Sequence, residues 1–173
     1  MSVLKKISIL VLPIILVMAA VTNNSCNIYK FNEATVPDSI KIVKVTYFEN
    51  RATYINPQLS PQLTDKLRQK IVSQTRLKQT SGDNADWEIG GTITEYAFST
   101  AGISNQQTST NRINVSVHII LNKIKDGTVE EYDVSRNFDF PASQSLQQAE
   151  SNLLTEMVRG ITDDIFNRIF SNW

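Results

Sequence analysis

Ile113, Val115, Val117, Ile119 and Leu121 alternate with Arg112, Asn114, Ser116, His118, Ile120 and Asn122. Period-two alternation over this length describes a strand with one apolar face buried and one polar face in water. It commits the chain to a sheet whose neighbours must alternate in phase. After it, Lys123-Ile124-Lys125-Asp126-Gly127 reads as a hairpin tip, with Asp126-Gly127 suited to a tight turn. The next strand runs from about Val129 to Phe140. Tyr132, Val134, Phe138 and Phe140 share a face with Arg136, which must either meet a carboxylate or snorkel to an edge. Before the alternating strand, Trp87, Ile89, Gly91 and Ile93 share one parity, and Tyr96 and Phe98 take the other. Such a slip predicts a β-bulge, hosted by Gly90-Gly91 or by Glu95. Ser99 to Thr110 reads as a long polar loop, a candidate to order against a partner.

Upstream, Ile40 to Phe48 is rich in β-formers, and Glu49-Asn50-Arg51 breaks the run. A helix follows from Asn56 or Ser60, each an N-cap type followed by proline, and extends to about Gln74. Leu59, Leu63, Leu67, Ile71 and Val72 supply its apolar stripe. Lys66, Arg68 and Lys70 read as a solvated face, with an anion-binding patch as the competing reading. A last helix is capped by Ser143 or Ser145. It carries Leu146, Ala149, Leu153, Leu154, Met157, Ile161 and Ile165 on one side, and Gly160 marks close packing. The predicted order is β-α-β-β-β-α. The predicted fold is a two-layer α+β sandwich, with two amphipathic helices on one face of a four-stranded mixed sheet and a polar opposite face.

The start of the chain is different in kind. Lys5 and Lys6 precede an apolar run from Ile7 to Val21, then Thr22-Asn23-Asn24-Ser25 and the only cysteine, Cys26. This is the layout of an export signal, and the run is short of the roughly 20 apolar residues a membrane span needs. Residues 1–25 are read as the signal and Cys26 as a lipidation site. Residues 26–39 form a tether whose Tyr29 and Phe31 could dock on the body, and residues 40–173 form one domain. Cleavage after Ala19 or Ala20, leaving Cys26 a free thiol, is the alternative processing, and an uncleaved anchor is a third. Asn23 stands where the usual lipoprotein signature has leucine.

The 17 Lys+Arg balance the 17 Asp+Glu, and losing Lys5 and Lys6 leaves a slight acidic excess. That argues against nucleic acid as a partner. A lone cysteine supplies no internal disulfide. His118, the only histidine, has no metal-ligand spacing around it and no nucleophile at hand, so neither a metal site nor an enzyme is expected. Gly90-Gly91 lacks the lysine and third glycine of a phosphate loop. No cofactor is expected.

Several strings together resemble the LptE family of lipopolysaccharide-assembly lipoproteins. They are Tyr47-Phe48-Glu49-Asn50-Arg51-Ala52, Asn56-Pro57 with Leu59-Ser60, and Gln74-Thr75 with Leu77. Gly91-Thr92-Ile93-Thr94-Glu95-Tyr96, the Ser135-Arg136 to Asp139-Phe140 strand, Asp164-Ile165-Phe166-Asn167 and Ser171-Asn172-Trp173 complete them. The resemblance implies an outer-membrane lipoprotein, anchored on the periplasmic side through Cys26. It would plug the lumen of the β-barrel protein LptD and support delivery of lipopolysaccharide to the outer leaflet, with no catalytic step of its own. Arg112, Lys123 and Lys125 are the candidate ligand contacts. The alternatives are a lipoprotein that binds lipid or another envelope component without a barrel, and a small exported hydrolase. A lipid carrier would need an apolar cavity, whereas the stripes here are sized to pack on one another.

Overall fold

The computed structural model describes residues 36–104 and 107–171. The signal 1–25, Cys26, the tether up to residue 35 and Trp173 lie outside the described residues. The strands are β1 (Ile42–Val45), β2 (Glu49–Asn50), β3 (Lys78–Gln79), β4 (Trp87–Ser104), β5 (Gln107–Lys123) and β6 (Thr128–Pro141). The helices are α1 (Leu59–Gln74) and α2 (Leu146–Phe170). One six-stranded sheet runs β3-β1-β4-β5-β6, with β2 pairing β4 further along. The β1–β3, β1–β4 and β2–β4 pairs are parallel, and β4–β5–β6 is an antiparallel meander.

The α+β architecture with two helices is as expected, but the sheet has six strands rather than four, ordered β-β-α-β-β-β-β-α. The two additions, Glu49–Asn50 and Lys78–Gln79, have two residues each, too few to show a period. The expected first strand, Ile40–Phe48, is broken. Parallel pairing with β4 runs from Val43↔Trp87 to Val45↔Ile89, lapses, and resumes at Glu49↔Thr92. The lapse leaves backbone groups without ladder partners, and α1 supplies some. Thr64 Oγ1 accepts from Phe48 N at 3.1 Å and donates to Ser60 O, and the Arg68 guanidinium donates to Val45 O at 2.8 Å. Arg68, one member of the basic helix face, thus serves the backbone. Lys70 likewise reaches Asp163 of α2 at 2.6 Å.

The second correction concerns Ser99–Thr110. It is not a loop: β4 and β5 pair through this stretch, from Ser99↔Arg112 to Ser104↔Gln107. Both strands are polar on both sides here, so no hydrophobic alternation signals them. The predicted slip is real and lies between Ile93 and Glu95. The glycines do other work. A Cβ on Gly91 would sit 2.4 Å from the Phe48 ring, and one on Gly90 would sit 2.7 Å from Thr46 Oγ1. The irregular chain between β1 and β2 presses on both sides of β4, so both positions must lack side chains.

Both helices lie on one sheet face. α1 begins at Leu59, with Asn56 Oδ1 accepting from Gln58 N at 3.0 Å, while Ser60 is buried inside the helix. Leu59, Leu63, Leu67 and Ile71 are fully buried, but Val72 faces solvent. α2 carries a complete capping box, Ser145 with Gln148. Its Ala149, Met157, Ile161 and Ile165 share one buried core cluster with Ile113, Val115, Val117 and Ile119. Arg136 finds its carboxylate: Asp164 accepts from it at 2.7 and 2.8 Å. The Arg136 stem crosses α2 at Gly160, where a Cβ would stand 2.8 Å from the guanidinium. A tyrosine–phenylalanine cluster, Tyr54, Tyr96 and Phe98, closes the far end, with centroids 5.2–5.6 Å apart. Tyr54, Tyr96 and Asn56 all donate to the Glu150 carboxylate.

Candidate functional site

The sheet face away from the helices is open, and its composition follows from the pleat. Residues alternating with the core positions of β4, β5 and β6 form cross-strand rows: Thr92, His118 and Asp133; Glu95, Ser116 and Ser135; Ala97, Asn114 and Asn137; Ser99, Arg112 and Asp139. The rows are linked by hydrogen bonds. Ser116 Oγ donates to Glu95 at 2.9 Å and lies 2.8 Å from Ser135 Oγ. His118 Nδ1 is 2.9 Å from Asp133 Oδ1, and Nε2 is 3.5 Å from Glu131. The partners of His118 thus come from the neighbouring strand, which spacing within one strand could not reveal. Among the described residues, no group of three or more His, Cys, Asp or Glu side chains comes together around a metal position.

The three candidate cations are dispersed. Arg112, midway along the open face, meets Asp139 bidentately at 2.6 and 2.9 Å. Those hydrogen bonds hold the Asp139 carboxyl below its ordinary range and push the guanidinium upward. Lys123 pairs with Glu130 and lies 5.6 Å from the centre of the Trp87 ring. Glu130 is lowered first by Lys123 and then by Tyr132. Tyr132 itself is pushed up to about 12, by burial first and then by Glu130. Lys125 reaches Asp86 Oδ1 at 2.7 Å and Ser39 O at 2.8 Å. The side chain of Asp86 is only 10% exposed, and its other oxygen accepts from Lys41 N and Ile42 N at 2.7 and 2.9 Å. The Lys125 hydrogen bond, followed by that from Lys41 N, lowers Asp86 to about 2. This carboxylate fastens the start of β1 to the β5–β6 tip.

Beside the rows, where β1 gives way to β2, the open face dips into a hollow of about 350 Å³. Tyr47 and Ile120, 56% and 40% exposed, stand at its sides, and Gly90 is part of its lining. The sequence put Tyr47 in the Ile40–Phe48 run and Ile120 in the row alternating with the core of β5, without bringing them together.

Folded this way, the described residues define a two-layer α+β domain with one closed apolar layer and one open, hydrogen-bonded polar face. No helix among them is long and apolar enough to cross a membrane. The family model for LptE, lipopolysaccharide-assembly, matches residues 40–169, and the chain belongs to that family. The family's work, as its model describes it, is lipopolysaccharide assembly. No curated protein matches the chain. Among solved structures, protein CT253 from Chlamydia trachomatis shares the fold at a TM-score of 0.51 and 12% identity, over 77% of this chain and 99% of that one. Protein XCC0632 from Xanthomonas campestris aligns at 0.49 and 11%, over 76% and 83%. A minor lipoprotein from Acinetobacter baumannii aligns at 0.47 and 14%, over 76% and 97%.

Proposed function

We propose that this chain is the lipoprotein plug of an LptD-like β-barrel, held to the periplasmic side of the outer membrane through a lipid on Cys26. It supports passage of lipopolysaccharide to the outer leaflet. The observation that carries the reading is the open sheet face. Its serine, threonine, asparagine and ion-paired side chains match the polar, water-filled interior of a large barrel and would be misplaced against lipid. A multi-chain lipid on Cys26 would anchor the chain stably, whereas a single chain binds only marginally. Arg112, Lys123 and Lys125 belong to the proposal as lipopolysaccharide contacts. Each would meet a phosphate by exchanging its carboxylate, respectively Asp139, Glu130 and Asp86.

The test is a mild-detergent pull-down from outer membranes through a C-terminal tag, with Cys26→Ala alongside. Co-purification of a large barrel with wild type, and loss of membrane retention in the variant, is the expected result. A photo-crosslinker at Ser116 or Asn137 should capture the barrel, and one at Thr155 on α2 should capture less. Wild type recovered alone and soluble sinks the reading. A lipoprotein binding lipid or another envelope component without a barrel is the second reading. Its support is a groove of about 680 Å³ between the chain entering β1 and the end of α1, lined in part by Val36, Ile40 and Leu77.

A further inference from the structure

We infer that the hollow between Tyr47 and Ile120 is a saccharide subsite, taking a single sugar ring by its apolar face and hydroxyl edge. The inference rests on the lipopolysaccharide reading and specifies which part of such a molecule this surface would hold. Three observations carry it. The hollow, about 350 Å³, is at the small end of the range for small-molecule sites, roughly 300–1,000 Å³. It is too shallow and too polar for an acyl chain. Its chemistry alternates as a sugar's does. Tyr47 and Ile120 offer exposed apolar surface, while Thr92, Asn122 and Arg51 offer a hydroxyl, an amide and a guanidinium. Its charge is wrong for a bare phosphate. The one cation in the lining, Arg51, is held by Glu49 at 2.7 Å, and the second carboxylate of the lining, Glu88, is paired with Lys44 at 3.4 Å, so both cations near the hollow are already engaged.

The fold also builds the hollow. The lapse in pairing between β1 and β2 turns Phe48 fully inward, and Thr64 holds its N–H. That leaves Tyr47 pointing outward. Gly90 keeps the strand beneath free of a side chain, because Thr46 lies too close for one. Every feature that shapes the hollow therefore has a structural cause, and the exposed Tyr47 ring is the one that stability does not require.

The experiment is saturation-transfer NMR on the full chain in amine-oxide micelles, which carry no sugar. The probes are a phosphate-free glucosamine disaccharide and inorganic pyrophosphate at millimolar concentration. The variants are Tyr47→Ala and Asn122→Leu, with thermal melts to confirm that both remain folded. Saturation of the sugar ring protons that pyrophosphate does not displace is expected, with affinity falling roughly five- to tenfold in Tyr47→Ala. An absent signal, one displaced by pyrophosphate, or one unchanged in both variants overturns the inference. Barrel co-purification is measured on the same Tyr47→Ala variant. If that variant loses the barrel, the hollow is a protein contact and the saccharide subsite fails. If it keeps the barrel but wild type binds no sugar, only the subsite fails. If wild type brings down no barrel, the plug reading fails while the sugar result is read independently.

Discussion

The two faces of the meander are made from the same strands and differ by one residue in phase. On the helix side, Ile113, Val117 and Ile119 are sealed in the core. On the other side Asn114 donates to Ser99, Ser116 pairs with Glu95 and Ser135, and His118 meets Asp133, all on the neighbouring strands. The inner face carries stability through burial, which is non-directional and cumulative. Contacts on the outer face are directional and each worth little, so that face is free to vary and to bind. Apolar packing and polar contacts are thereby assigned to opposite parities of the same strands.

Neighbouring isoleucines sharpen this most. Ile119→Ala should cost about 2–5 kcal/mol in urea unfolding, because it empties a fully buried site. Ile120→Ala should cost under about 1 kcal/mol. Comparable losses would mean that the outer face is covered in the isolated chain. Next comes Asp86→Ala, which strands two backbone N–H groups and Lys125 and should cost about 2–3 kcal/mol. Asp86 has a lowered folded-state pKa of about 2, so its contribution is complete above about pH 4 and is lost as pH falls through about 2. Wild type should therefore lose its advantage over the variant on acidification across that window, and a pH-independent gap would refute the assignment.

Thr64→Val keeps the shape of the helix face but leaves Phe48 N without its acceptor, at about 1–2 kcal/mol. The melting point of purified protein reads this directly. Smallest is Arg112→Gln. The pair with Asp139 is exposed and screened by solvent, so the melting point should hardly move. A larger drop would place structural weight on the open face and blur the distinction between the two.

The inner face was largely legible. Burial imposes a period, and β5, β6 and both helices show it. The bulge after Ile93, the capping box at Ser145 and the carboxylate for Arg136 follow from local rules of parity, capping and desolvation. What could not be read is set by register. Arg112 meets Asp139 and His118 meets Asp133 because β5 and β6 align at those positions, 27 and 15 residues apart. The polar end of the β4–β5 hairpin shows no apolar period in sequence, and β2 and β3, with two residues each, have no period at all. The hollow depends on a lapse in pairing between β1 and β2, which only the third dimension displays.

The pairing pattern also sets an order of assembly. From Ser104↔Gln107 the β4–β5 hairpin can zip outward through near neighbours, and β6 adds through the short tip between Lys123 and Thr128. Strand β1 has no such route. Its register with β4, Val43↔Trp87, closes a loop that holds the whole of α1, and such non-local closure is slow. The first strand to be synthesised is thus among the last to be seated, and it waits for a meander that follows it in the chain. On this ordering the stretch that becomes β1 stays extended and searchable longest, while the meander is already paired.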